Sequence, residues 1–396
     1  MHIGHVITRL IIGGAQENTV FTVEGLVRKG HETDLITGPT EGPEGSLEDG
    51  VRRAGIGIIR IGSLIRRVDP FCDLHALIRL VLLFRRKRYD VIHTHSAKGG
   101  ILGRIAARIA SPSSVVVHTV HGLSFHEYQP PLATRFYIAV ERFVLPFTDH
   151  FICVGEVMRE RCLAVGLGRK DRYTVIYSGF PLRPYRESAA RRSVMRSSLG
   201  IRPEEQVVGM IGRLFPLKGQ DYLLSAFAEV ARDIPSARLL LVGDGVLRRE
   251  LEELAQRKGV AERVSFTGLV PPDRVPDCVA AMDILAHTSL REGLPKAVAQ
   301  GFAGGKPVVA FDVDGARELV KDGETGFLIP ARDTALLAVR LAFLLKNPAI
   351  AGTMGRNGQQ RVEKLFAVET MVEDIERLYI ALLPCTATRR NRTSLS

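Results

Sequence analysis

The sequence contains no tryptophan, and aromatic residues make up only 6% of its 396 positions. Proteins that grip nucleic acid interleave aromatics with basic residues or carry a recognisable module. Neither is found here, so nucleic acid is not an expected partner. The five cysteines, Cys72, Cys153, Cys162, Cys278 and Cys385, are scattered and odd in number, and lack metal-site spacing. That excludes a disulfide framework and a cysteine-based metal centre, and suits reduced thiols in a cytoplasmic protein. No apolar run approaches the ~18 residues that span a bilayer. The first residues, His2–Thr8, read as a strand rather than a leader peptide. A G-x-G-x-x-G dinucleotide fingerprint is also missing.

What is present is ordinary in bulk and unusual in charge. Hydrophobic residues account for 45% and charged residues for 24%, enough for two domains with full cores. The formal charge of +11 implies attraction to something anionic, such as a nucleotide or a phospholipid surface.

Short apolar runs alternate with helix-length segments, the pattern of parallel sheets with crossover helices. The first half offers strands at His2–Thr8, Thr33–Thr37, Ile56–Ile61, Val91–His95, Val115–Thr119, His150–Val154 and Thr174–Tyr177. Ser178–Ala190, with Gly179, Pro181 and Pro184, interrupts regular structure and reads as a linker. The pattern then restarts at Val207–Ile211, Arg238–Val242, Val264–Thr267, Ile284–Ala286, Val308–Phe311 and Gly326–Ile329. The expected division is an N-terminal domain over 1–183 and a C-terminal domain over 184–365. A helix over 366–385 would return to the first domain, followed by a disordered tail, 386–396. Ligands of open parallel sheets bind at the carboxyl ends of strands, so the loops there are the places to look.

Six such loops carry chemistry. Gly13-Gly14 follows the first strand and opens a helix, where backbone N–H groups can approach an anion; a plain tight turn is the alternative. Gly212-Arg213 through Lys218-Gly219 follows the first strand of the second half. Its two cations, flanking Pro216, suit a diphosphate, Arg as a planar fork and Lys as a point charge. Ser289 through Gln300 places Glu292 ahead of Pro295, which suits the first turn of a helix. A carboxylate beside the free amides of Gly293 and Leu294 can hold sugar hydroxyls, or else it caps its own helix. His118 and His121-Gly122 end an apolar strand, near enough to donate to phosphate or sugar oxygens. Together with His93 and His95 they lie on separate strands without a carboxylate or cysteine at ligand spacing, so no metal is expected. Gly243-Asp244-Gly245 and Thr267-Gly268 end two further strands and can line a nucleobase pocket or simply turn the chain.

The ordered set of segments resembles the retaining glycosyltransferases of family 4, over nearly the whole length. The likeness rests on the early Gly-Gly turn, His121-Gly122, Gly212-Arg213 with Lys218-Gly219, Gly243-Asp244-Gly245, Phe266-Thr267-Gly268 and Glu292-Gly293-Leu294-Pro295. It continues through Lys306-Pro307-Val308-Val309, Glu318-Leu319-Val320 and Asp322 to Leu328. The stretch from His93 through Lys98 to Ala106 is similar to the branch that assembles cell-surface polysaccharides and lipid-linked sugars. The resemblance implies the GT-B fold, two Rossmann-like α/β domains with parallel sheets facing across a cleft. It implies a nucleotide-sugar donor with UDP or GDP, a glycan or lipid-linked acceptor, and no cofactor. Arg213 and Lys218 would neutralise the leaving diphosphate, with Gly14 approaching the same phosphates. His121 would contact the transferred sugar, and Glu292 with Gly293 and Leu294 would hold its hydroxyls. The second acid of the family's E-x7-E motif binds the donor ribose. Here that position is Gln300, which keeps hydrogen-bonding capacity but loses a charge. Ser178 stands where relatives often carry Asn.

The implied chemistry is a metal-independent transfer with retention, in which cations stabilise the charge that develops on the leaving diphosphate. A single carboxylate without a partner gives no support for a covalent intermediate on Glu292. Leu77–Phe84 leads into Arg85-Arg86-Lys87-Arg88, which suits either an anionic membrane surface at the inner face of the plasma membrane or a buried helix with a basic end. Two other readings fit the same scaffold. A nucleotide-sugar epimerase would need further acid/base carboxylates, and a non-catalytic sugar-nucleotide binder would need no turnover.

Overall fold

The computed structural model describes residues 1–40 and 45–393, from 384 onward by backbone only. All strands expected from the sequence form, with ends shifted by a residue or two. They are β1 (His2–Ile7), β2 (Glu32–Thr37), β3 (Ile58–Arg60), β4 (Val91–His95), β5 (Val115–Val120), β6 (His150–Cys153) and β7 (Tyr173–Val175). The second set is β8 (Gln206–Ile211), β9 (Ala237–Val242), β10 (Val264–Phe266), β11 (Ile284–His287), β12 (Val308–Phe311) and β13 (Gly326–Ile329).

The chain divides into two compact units. One comprises Met1–Phe180 with the chain from Val368 on, the other Pro181–Ala367. The boundary therefore precedes the one expected after 183, because the linker stretch is not irregular throughout. Arg183–Glu187 is helical, with Pro184 in the first turn where its missing N–H is not needed. The last helix spans Val368–Thr393, so the tail expected to be disordered from 386 is helical to Thr393. Residues 394–396 lie outside the described residues.

Each unit holds one wholly parallel sheet. In the first the order is β3-β2-β1-β4-β5-β6-β7, and in the second β10-β9-β8-β11-β12-β13. Strands β4, β11 and β12 are buried at every residue, as helices on both faces require. In the second unit Val208, Met210, Leu239, Ile284 and Val309 pack against Phe227 and Leu341 from the flanking helices. Each such side chain contributes about 1.5–3 kcal/mol by leaving water. In the first unit Met371, Val372, Ile375 and Tyr379 of the last helix pack on Ile3, Val91, Val115 and Ile152. The C-terminal segment thus completes the N-terminal core. Cys72, Cys153, Cys162 and Cys278 are unbridged. Among the described residues no single helix is long and apolar enough to cross a membrane.

The strand orders locate the sites. In each sheet the winding reverses once, between β1 and β4 and between β8 and β11. At such a switch point the loops leaving two adjacent strands diverge to opposite faces and open a crevice.

Candidate active site

In the second unit the loops at the switch point are the two that the sequence singled out. The loop after β8 carries Arg213 and Lys218, and the loop after β11 carries Glu292. They are stitched together through the backbone. Leu290 N–H donates to Leu217 O at 2.8 Å, and the Thr288 hydroxyl donates to Gly219 O at 2.7 Å. Gly219 has φ +75, and a Cβ there would lie 1.9 Å from Thr288 O. Only glycine permits this approach, and the approach fixes the reach of Lys218.

Across the seam Lys218 Nζ donates to Glu292 Oε1 at 2.6 Å. Nε2 of His287, at the end of β11, stands 3.5 Å from the same oxygen, an ion-pair separation rather than a hydrogen bond. Burial alone would raise the Glu292 carboxyl. The charge of Lys218 and the contact with His287 outweigh it and hold the group well below the ordinary carboxylate range. Glu292 N–H donates to Asp314 Oδ2 at 2.7 Å, which anchors its backbone. That helix, Lys296–Ala303, has no side-chain cap, so Glu292 is not a capping residue. Pro295 occupies the cap position, just ahead of the expected first turn. Among the described residues the amides of Gly293 and Leu294 have no hydrogen-bond partner.

The neighbouring loops close around this pair. Leu214 N–H donates to Asp244 O at 2.9 Å, and Gln220 Nε2 donates to Arg213 O at 3.0 Å. The guanidinium of Arg213 lies 5.0 Å from the Phe215 ring centroid. Gly243 bridges to Gly268, and its N–H donates to the Thr267 hydroxyl at 3.3 Å. Asp244 Oδ1 accepts from Gly245 N–H at 2.8 Å. The loops after β8, β9, β10 and β11 therefore form one polar rim at the carboxyl edge of the sheet.

In the first unit β1, β4 and β5 bring histidines together, although they lie on separate strands. His5 pairs in register with His93, and His95 with Thr119. The ligand atoms of His5, His93 and His95 lie within 4.8 Å of one another. All their ring nitrogens but His5 Nε2 are already hydrogen-bonded. His93 Nδ1 is 2.5 Å from the Tyr379 hydroxyl, and its Nε2 is 2.6 Å from Thr119 Oγ1. His95 is bonded at 3.0 Å to both His5 and His121. A metal would have to displace these bonds, and no carboxylate stands in the set to balance its charge. Burial lowers His5 to about 3, and lowers His93, His95, His118 and His121 as well, so all are neutral imidazoles near pH 7. His118 points to the other face, where its Nδ1 meets Thr94 Oγ1 at 2.9 Å. Gly13 and Gly14 open the helix Gly14–Arg28 with Gly13 in extended backbone, so the turn itself does not demand glycine. A Cβ on Gly14 would meet nothing within 4 Å.

Comparison with known proteins agrees with this geometry. Residues 13–179 match the model of the glycosyl transferase 4-like domain, and residues 192–361 match that of glycosyl transferases group 1. The chain is 28% identical over 384 residues to the UDP-Gal:alpha-D-GlcNAc-diphosphoundecaprenol alpha-1,3-galactosyltransferase of Escherichia coli, covering 96% of this chain and 97% of that one. It is 30% identical over 299 residues to EpsD of Bacillus subtilis (strain 168), covering 74% and 77%. The chain belongs to the family 4 glycosyltransferases. Its fold is GT-B: the crystal structure of Anabaena HepE with UDP and glucose superposes with a TM-score of 0.84 at 25% identity, over 96% of this chain and all of that one.

Of the residues expected to serve the glycosyltransferase, the second unit gathers Arg213, Lys218, Gly243, Asp244, Gly245, Thr267, Gly268, Glu292, Gly293, Leu294 and Pro295 onto one rim. Gln300 lies just behind, 8% exposed, on the helix that follows Pro295. His121, Gly13 and Gly14 belong to the other unit. One expectation changes in detail. Lys218 does not stand alone, because it pairs with Glu292. Residue-level reading also missed His287, Asp314 and Tyr379. The only signal for His287 was a histidine at the carboxyl end of a buried strand.

The basic helix also differs from expectation. Within Pro70–Lys87, Leu80 and Phe84 turn inward. The outward apolar line is Phe71, Leu74, Ile78 and Leu82, between 48% and 88% exposed. Lys87 is spent on Asp34 at 2.8 Å, which leaves Arg85, Arg86 and Arg88 on the surface.

Proposed function

We propose that this glycosyltransferase moves a sugar from a UDP-sugar to a glycan or lipid-linked acceptor, with retention and without a metal. The observation that carries this reading is the Lys218–Glu292 pair beside the open amides of Gly293 and Leu294 at the sheet's switch point. Glu292 and these amides suit sugar hydroxyls, and Arg213 with Lys218 suits the diphosphate. As the glycosidic bond breaks, negative charge grows on that diphosphate, and fixed cations favour this state over the ground state. His121, Gly13 and Gly14 are assigned to the donor's sugar and phosphate from the first unit. UDP is preferred over GDP because HepE has been crystallised with UDP-glucose and the E. coli relative is named for UDP-Gal. That relative's name also supplies the acceptor class, a sugar on diphosphoundecaprenol.

The test is a panel of UDP- and GDP-sugars read by thermal shift, then transfer to a polyprenyl-diphosphate sugar with and without EDTA. Products are examined by NMR for anomeric configuration. UDP-sugars should stabilise the protein, and EDTA should leave transfer unchanged. Arg213→Ala should lower kcat about 10²-fold or more. Epimer formation without acceptor, or stabilisation by no nucleotide sugar, would sink the reading.

We further propose that the helix Pro70–Lys87 rests on an anionic membrane. Phe71, Leu74, Ile78 and Leu82 fall on one face at helical spacing, and Arg66, Arg67, Arg79, Arg85, Arg86 and Arg88 are exposed around them. Co-sedimentation with anionic but not neutral vesicles, lost at high salt and in Phe71→Asp/Ile78→Asp, is expected. Binding that ignores lipid charge and these substitutions would reject it.

A further inference from the structure

The imidazoles of His5, His95 and His121 form a continuous chain. His5 Nδ1 faces His95 Nε2 at 3.0 Å, and His95 Nδ1 faces His121 Nε2 at 3.0 Å. His5 and His95 are fully enclosed, and His93, on the same strand as His95, spends both nitrogens on Tyr379 and Thr119. The chain has two ends. His5 Nε2 is sealed from solvent with no partner. His121 Nδ1 has no partner among the described residues but is not sealed. Its ring lines a pocket with Ser96, Thr119, Gly122 and Ser124.

A neutral imidazole carries one N–H and one lone pair. Three neutral rings in series therefore share a single sense. Either all three carry the proton on Nδ1, or all three carry it on Nε2. In the second case His5 Nε2–H is a buried donor with no acceptor. In the first, the same atom is a buried lone pair with no donor. Orphaned buried N–H groups are the rarer and costlier of the two.

We infer that His5 and His95 are positioning residues that lock His121 as its Nδ1–H tautomer, so that it presents a hydrogen-bond donor to a substrate oxygen. The inference rests on the proposed assignment of His121 to the donor. The oxygen is an anionic or hydroxyl oxygen of the nucleotide sugar, since a donor cannot serve a protonated amine. The chain also explains why a position at the rim of the first sheet depends on buried groups two strands away. If the ring reversed its tautomer, it would present a lone pair and repel phosphate oxygen.

The test is side-chain ¹⁵N NMR of the full-length protein, labelled at histidine, near pH 7. The expected spectrum has His121 with a protonated Nδ1 and an unprotonated Nε2, and the same pattern for His95 and His5. A protonated Nε2 on His121 would overturn the inference. His5→Phe removes the terminal donor while keeping an apolar ring of similar size. His121 should then show both tautomers, and the donor dissociation constant should rise about twofold when the two are equally populated. An unmixed His121 spectrum in a folded variant would also overturn it. If His5→Phe does not fold, the wild-type spectrum decides. That spectrum requires no turnover, so failure of the tautomer assignment and failure of the transferase reading are seen separately.

Discussion

Lys218→Met provides the sharpest test of how the second unit's rim is held. The substitution keeps the side-chain length and removes one charge from a pair separated by 2.6 Å. At an effective dielectric of about 20, two unit charges at that distance attract by about 6 kcal/mol. Most of this is offset by the cost of taking both ions out of water. The two side chains keep 24% and 16% of their exposure, so the net coupling is well below that of a sealed pair. The expected coupling is about 2 kcal/mol, from the cycle Lys218→Met, Glu292→Gln and the double variant. Lys218→Met should be the costlier single change, because it strands a half-buried carboxylate whose backbone Asp314 holds in place. The double variant should recover part of the loss. Hydrogen exchange of amides in β8 and β11 reads the second unit alone, without assuming that both units unfold together. The pH dependence has a definite sign. The Glu292 carboxyl is depressed in the folded state, so the unfolded chain binds its proton first as pH falls. Its stabilisation is therefore complete above the unfolded value of about 4.3 and shrinks below it. Lys218→Met should flatten that acid limb. A coupling under about 0.5 kcal/mol at pH 7, or an acid limb unchanged by the substitution, would refute the reasoning.

Three other expectations follow from single contacts. Gln300→Glu restores an acid at the position behind the rim; a charged acceptor exceeds a neutral one by about 1 kcal/mol, so UDP-sugar binding should tighten roughly fivefold by calorimetry. Gly219→Ala forces a Cβ against Thr288 O at positive φ and should cost about 1–3 kcal/mol, with loss of the donor-induced thermal shift. Tyr379→Phe deprives the buried His93 Nδ1 of its partner and should lower stability by about 1–3 kcal/mol in denaturant titration, with no change in the second unit's exchange rates.

Some features of this molecule are local and could be read before any coordinates. Uninterrupted apolar runs such as Val308–Phe311 suit strands covered on both faces, and their alternation with helix-length segments implies parallel sheets. The glycines, cations and Glu292 announced themselves because loops at strand ends are where polar residues gather. Where each loop reaches, however, depends on which strands are neighbours. Lys218 and Glu292 are 74 positions apart and meet only because β8 lies beside β11. His5, His95 and His121 form one hydrogen-bonded chain only because β1, β4 and β5 are adjacent. The last helix returns to the first unit, where Tyr379 finds His93 across 286 positions. A hydrophobic pattern records that a residue is buried, but not against what. Sheet order and crossover connections decide the partner, and with it the pairing of Lys218 with Glu292 and of His121 with His95.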